Sequence, residues 1–219
     1  MVVHISLDGL VFHPVEEATI TIGTTKGGWV YASQRPCYEA KIPSFYTMEA
    51  PLTKQDVLNV MGGPEKETSD APMDTLTSSD LVELSRTLME SEAFSKATDA
   101  LAGAWEVRTL THAEWLAARE QKKLQLSQGL TERLADAPAS NHRGAMMDGR
   151  PRPNELLGPA ASQMAAIAVH PRNSEITAMA SVPQDRALPN VVARLALTPI
   201  RTGNAKRVPD NTDVWKNVR

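Results

Sequence analysis

The chain has a single cysteine, Cys37, in 219 residues. That excludes an internal disulfide and any metal knuckle built from several cysteines. Aromatic residues make up only 5% of the sequence, and no arginine cluster is interleaved with them as in surfaces that stack nucleic-acid bases. No apolar run approaches the roughly 18 residues that cross a bilayer. Met1–Leu10 shows no basic stretch followed by an apolar one, so no secretory signal is expected. A reduced, cytoplasmic setting is the default these absences leave. His4, His13, His112, His142 and His170 never fall at helical ligand spacing, and none stands beside a carboxylate at such spacing. A metal site would require remote histidines to converge in space. No Gly-x-Ser-x-Gly occurs, and Gly27-Gly28 is followed by no helix start with Lys-Ser/Thr, so no phosphate loop is expected.

What is present is ordinary for one globular domain: 42% hydrophobic and 22% charged residues. The net charge of −3 conceals an asymmetry. Residues 1–140 hold 12 Lys and Arg against 20 Asp and Glu, whereas residues 141–219 hold 11 against 6. The basic end could meet nucleic acid or an acidic protein face; the favoured reading is that the two halves neutralise one another within the fold or across a subunit contact.

The element pattern is mixed. Residues 1–32 alternate apolar and polar, with Asp8-Gly9 a hairpin dipeptide. Pro36–Tyr46 reads as a strand that leads into a helix capped by Thr53, with Val57, Leu58 and Met61 as its apolar stripe. Ser78 or Ser79 is expected to cap a helix carrying Leu81, Val82, Leu84, Leu88 and Met89, with Phe94 and Leu101 extending it after a break. Trp105–Thr109 reads as a short strand. Thr111 and Glu114 then form a capping box, opening a helix that Trp115, Leu116, Ala118 and Arg119 begin, Leu124 continues, and Gly129 ends. Arg108–Glu114 and Glu114–Arg119 read as helix-end ion pairs, and Trp105 and Trp115 as core. Residues 129–163, rich in Gly, Pro, Asn and Ala, read as a long surface segment, which in a compact domain is functional or held by a neighbour. Ile176–Val182 and Val191–Leu197 read as closing strands. Met146, Met147 and Trp215 are isolated large side chains in segments too poor in apolar residues to order themselves, and with Arg207 they mark a candidate surface for another macromolecule.

The run Val107-Arg108-Thr109-Leu110-Thr111-His112-Ala113-Glu114-Trp115-Leu116-Ala117-Ala118-Arg119 resembles the Arg-Leu-Pro-Thr-Glu-Ala-Glu-Trp-Glu-Tyr-Ala-Ala-Arg signature of the formylglycine-generating enzyme family. The flanks follow in the family's order. Pro36–Val57 is similar to its strand-to-helix entry through the threonine cap, Pro153-Asn154-Glu155-Leu156-Leu157-Gly158 to its Pro-Asn-x-x-Gly-Leu turn, and Val192–Leu197 to its terminal Gly-Phe-Arg-Leu-Val. The resemblance covers roughly residues 18–201 and implies an α+β, C-type-lectin-like single domain with short strands, two to four helices and long loops. It assigns structural roles to Thr53, Arg108, Thr111, Glu114, Trp115 and Asn154. It also implies catalysis by copper held between two cysteines in the C-terminal third. Copper(I) needs soft thiolates, yet residues 38–219 contain no cysteine. The family's calcium-associated Asn-Val-Trp-Glu motif is absent as well.

These observations lead to a domain over residues 1–201 with a basic tail over 202–219. The expectation is a non-catalytic binding or assembly module, a subunit of a larger complex, with no cofactor and a protein partner met through residues 129–163 and 202–219. Two alternatives stand beside it: an enzyme with an unrecognised site in the 129–175 loops, and a variable ligand-binding protein of the kind diversity-generating retroelements mutate on this fold. The sparse Tyr, Trp, Ser and Asn of the C-terminal third speak against the second.

Overall fold

Among the described residues, threonines start three of the four α-helices by the same local chemistry. Thr53, Thr77 and Thr111 each hold an extended backbone, accept the amide three residues on, and receive that residue's carboxylate on their own amide. They open α1 (Lys54–Met61), α2 (Ser78–Met89) and α4 (His112–Glu120), while Ser91 caps α3 (Glu92–Asp99). The expected cap at Ser78 or Ser79 is therefore corrected by one residue: Ser78 is already helical, and Asp80 completes the box with Thr77. The helix expected to reach Leu124 stops at Glu120, because Lys122 adopts a positive φ of 56° and turns the chain. Leu124 and Leu126 then pack back onto the core.

In this computed structural model, residues 4–24, 34–62, 69, 71–155 and 158–209 are described. The strands are β1 (Ile5–Leu7), β2 (Leu10–Val15), β3 (Ala18–Ile22), β4 (Tyr38–Ile42), β5 (Phe45–Thr47), β6 (Trp105–Thr109), β7 (Thr131–Arg133), β8 (Gln163–His170), β9 (Asn173–Pro183), β10 (Val191–Ala193) and β11 (Leu195–Pro199). Asp8 and Gly9, both at positive φ, turn β1 into β2 as the dipeptide requires. A five-stranded sheet runs β1-β2-β5-β11-β6, a four-stranded sheet β10-β7-β8-β9, and β3 pairs with β4.

The side-chain alternation of the strands feeds two cores. Leu195 and Leu197 of β11, with Val107 of β6, face Leu81, Leu84 and Leu88 of α2. Ala196 faces the other way, into a core made by Trp115, Ala117 and Ala118 of α4 with Ile20, Ile22, Ala40, Ile42 and Ile167. Between the two sheets the chain passes through Arg194, which separates β10 from β11 and is only 1% exposed. Its guanidinium meets both oxygens of Glu132 on β7, at 3.1 and 2.8 Å, and donates to the carbonyls of Met48, Glu49 and Gln125. Trp115 Nε1 donates to the same carboxylate at 3.2 Å. One buried ion pair thus joins both sheets, α4 and two loops.

The Arg108–Glu114 pair is a second buried linchpin. Its guanidinium grips Glu114 through two nitrogens at 2.8 and 2.9 Å, and Glu114 is fully buried. The ion pair expected at this helix end is thus present, with Glu114 out of water and the Arg108 side chain only 15% exposed, so that each charge is held chiefly by the other. Glu114 takes the Thr111 amide as well. Arg119 bonds Glu175 and Thr177 on β9 and stacks over Trp115 at 5.7 Å instead of meeting Glu114.

The 129–163 segment also departs from expectation. It contains β7, whose Glu132 and Arg133 are buried because charge partners and carbonyls await them. Residues 144–147 are stitched to 206–208: Gly144 donates to Val208, Val208 to Ala145, and Met147 to Lys206. Val208 is buried. This part of the tail belongs to the fold and orders the segment beside it. Met147 accepts from the Lys41 amide, Met146 is half-buried, and Arg207 pairs with Glu155 at 2.6 Å. Asn154 is exposed and donates to the Ala161 carbonyl. Trp215 lies outside the described residues.

Candidate functional site

The end of β6, the start of α4 and the strand β7 converge on Asp136. Four backbone bonds hold this crossing: Ala135 N–H to Leu110, Leu134 N–H to Ala165, Ala165 N–H to Asp136, and Ala137 N–H to Arg152. They aim the Asp136 carboxylate at the N-terminus of α4, where it accepts the His112 amide at 2.6 Å, and its other oxygen accepts the Arg152 amide at 2.7 Å. No guanidinium or ammonium bonds it among the described residues. Burial pushes its carboxyl up to about 6, against the pull of those two amides and the helix dipole.

Asp136 borders a cavity of about 50 Å³ lined also by Tyr38, Thr111, His112, Asn141, His142 and Arg152. Burial, then the neighbouring His142, lowers His112 to about 4. Burial also lowers His142, although its bond to Pro36 works the other way. Both rings are therefore neutral imidazoles at neutral pH. Their centroids are 6.2 Å apart, and Tyr38 meets His142 edge-on at 5.5 Å. Burial raises the Tyr38 hydroxyl, keeping it a phenol.

His142 is held on three sides. Its amide donates to the Arg35 carbonyl at 2.8 Å, its carbonyl accepts from Ala145, and its Nδ1 lies 3.1 Å from the Pro36 carbonyl. A carbonyl only accepts, so Nδ1 carries the proton and Nε2 is the free acceptor. Gly23 comes so close that a Cβ there would lie 2.9 Å from Nδ1 and 2.5 Å from the Gln34 carbonyl. With φ at +91°, this position requires glycine.

The two imidazoles and Met179 also line an outer cleft of about 560 Å³, walled by Ile22, Leu116 and Ile167 with Thr24, Gln34 and Thr177. Thus the inner cavity and the outer cleft share His112, His142 and Met179. Of the residues singled out in the sequence, the structure brings Thr111 and Met146 to this site, and Arg108, Glu114 and Trp115 to its supporting frame. Thr53, Met147, Asn154 and Arg207 lie elsewhere. Sequence reading missed Asp136, Tyr38 and the pairing of His112 with His142. The only available signal was that a histidine occupies the first turn of a capped helix.

Among the described residues, no group of three or more His, Cys, Asp or Glu is placed to hold a metal ion. Cys37, the one thiol of the sequence, is half-buried and free. No described helix is long and apolar enough to cross a membrane.

No protein-family model matches the chain, and no curated protein matches its sequence. Among solved structures it is similar to PvdO from Pseudomonas aeruginosa, with a TM-score of 0.65 and 13% identity over 90% of this chain and 98% of that one. It is also similar to variable protein 1 of Treponema denticola, with a TM-score of 0.60 and 12% identity over 90% and 99%. At such identities the likeness concerns the fold alone, and it bears out the α+β, C-type-lectin-like architecture. The link to the formylglycine-generating enzyme family stays a resemblance of motifs.

Proposed function

We propose that this chain is a non-catalytic binding module, a subunit of a larger assembly, that takes an uncharged, ring-sized group into the His112–His142 cleft. The observation that supports this reading is the neutrality of the cleft. None of its described lining residues is Asp, Glu, Lys or Arg, and burial holds its two histidines uncharged. Apolar walls with a few convergent polar groups are the usual form of a ligand site. Here Ile22, Leu116, Ile167 and the Met179 thioether supply the walls, and the imidazoles and Gln34 supply the polar edges. Copper-dependent oxidation of cysteine peptides stays outside the proposal, because its thiolate pair has no counterpart in residues 38–219. Contact with a protein partner along the seam of the 129–163 segment and the tail belongs to the same proposal.

The enzyme alternative has one observation in its favour: a buried carboxyl raised to about 6 that shares a cavity with a phenol and two imidazoles. Against it, both Asp136 oxygens are engaged by backbone amides. The variable-protein alternative is consistent with the likeness to a protein of that name, but the C-terminal third remains poor in the side chains such a surface uses.

The test is a titration of the full chain with indole and phenol as neutral probes and with benzoate and benzylamine as charged ones, following the ring resonances of His112 and His142. Saturable shifts with the neutral probes alone are expected. Equal or stronger shifts with a charged probe, or none with the neutral ones, would contradict the proposal.

A further inference from the structure

Strand β9 ends the four-stranded sheet, and among the described residues no strand pairs with its outer side. Which of its backbone groups face outward follows from parity. The Val169 amide donates to Leu130 and the Ala165 amide to Asp136, so the odd-numbered residues of β8 face the β7 side. Its even-numbered residues therefore bond β9, through the partners Ala168–Ala178, Ala166–Ala180 and Met164–Val182. The amides and carbonyls of Thr177, Met179 and Ser181 are left pointing away from the sheet.

Open edges of this length normally carry a lysine, a proline or a bulge that blocks a further strand. Between Ile176 and Val182 β9 has none of the first two, and no charge of either sign. Its irregularity is confined to the turn at Val169 and His170. Both ends are pinned: Arg119 bonds the Glu175 carbonyl at 2.6 Å, and the buried Arg133 bonds the Pro183 carbonyl at 2.6 Å. An edge fixed in this way loses little freedom on pairing.

We propose that β9 pairs with β9 of a second copy of this chain, antiparallel and about a two-fold axis at Met179. In that register Met179 faces itself, and the outward groups of Thr177 meet those of Ser181 in the other copy. Ala178 then stands opposite Ala180, and Ile176 opposite Val182. Hydroxyl meets hydroxyl, small meets small and apolar meets apolar, without any like-charge contact along the ladder. This self-match is what commits the edge to a second copy, since a two-fold closes both edges at once. Met179 also lines the outer cleft, so the pairing sets the clefts of the two copies side by side with the second Met179 at each rim. The inference stands on strand geometry and does not rest on the proposed ligand.

Sedimentation of the full chain over a concentration series tests it, together with hydrogen exchange of the β9 amides. The wild type forms a dimer, and the amides of Met179 and Ser181 gain protection with concentration while those of Ala178 and Ala180 are protected throughout. Met179→Lys places like charges across the axis, and Met179→Pro removes an outward amide without touching a bond to β8; both are monomers that keep the protection of Ala178 and Ala180. A wild type that stays monomeric, or one in which Met179 and Ser181 exchange freely at every concentration, overturns the proposal. So does a dimer that survives both substitutions, and capture of a foreign strand in place of the second copy.

Discussion

Glu132 and Asp136 lie close together in the chain, and both carboxylates are buried, yet the protein treats them in opposite ways. Glu132 is saturated by charge: Arg194 grips both of its oxygens and Trp115 adds an indole N–H. Asp136 has only two backbone amides, and beside it lie a cavity, a phenol and two neutral imidazoles. Around Glu132 the buried charge is spent on joining the sheets. Around Asp136 the polar groups are positioned by the backbone, and part of their surroundings is left open. The contrast separates frame from site, and each half of it can be broken in turn.

The largest effect is expected at the frame. Glu132→Ala strands the Arg194 guanidinium in the core, and removing one partner of a buried pair costs about 3–5 kcal/mol. Denaturant unfolding checks this, and a loss near zero would mean that Arg194 reaches water. Trp115→Ala empties the centre of the α4 core at a cost of about 3–5 kcal/mol, whereas Trp115→Phe keeps a six-membered ring in place and gives up one hydrogen bond to a charged carboxylate, about 1.5–3 kcal/mol. Melting of the two variants side by side separates packing from the indole bond, and an unchanged Trp115→Ala would refute the assigned core.

Asp136→Asn is smaller and sharpens the comparison. An amide can accept one of the two backbone donors and turns its NH₂ toward the other, which costs about 1–3 kcal/mol. Its more telling effect is on pH. Asp136 holds its proton more tightly in the fold than at its ordinary value of 3.8, so its contribution to stability is greatest in acid and is lost as pH rises through about 6. His112 resists protonation, so its contribution is complete above its ordinary value of 6.5 and declines as pH falls toward about 4. The two trends oppose one another between about 4 and 6. Stability of Asp136→Asn, measured by denaturant midpoint, should therefore fall more steeply on acidification than that of the wild type. Parallel pH curves would show that the Asp136 shift is absent.

Much of the frame was legible because it is written in local chemistry. The Asp8-Gly9 turn, the Thr53 and Thr111 caps, and β6 followed by α4 each follow from residues within one turn of each other. What was illegible depends on partners distant in the chain. Thr131-Glu132-Arg133 reads as polar surface until Arg194 and the carbonyls of Pro183 and Arg186 are brought to it. The site is the extreme case: Tyr38, His112, Asp136 and His142 share no spacing rule, and the backbone bonds of residues 134–137 and 142–145 are what assemble them. The tail misled for a related reason. Residues 206–208 carry little apolar surface, and main-chain bonds to residues 144–147 order them instead.

The account turns on the His112–His142 pair being neutral and uncompensated, and a pH titration of the histidine ring resonances in the intact protein tests that most directly. The prediction is a midpoint near 4 for His112 and a lowered one for His142. A His112 that titrates at its ordinary value of 6.5 or above would place water or a counter-ion at the ring and contradict a neutral binding cleft.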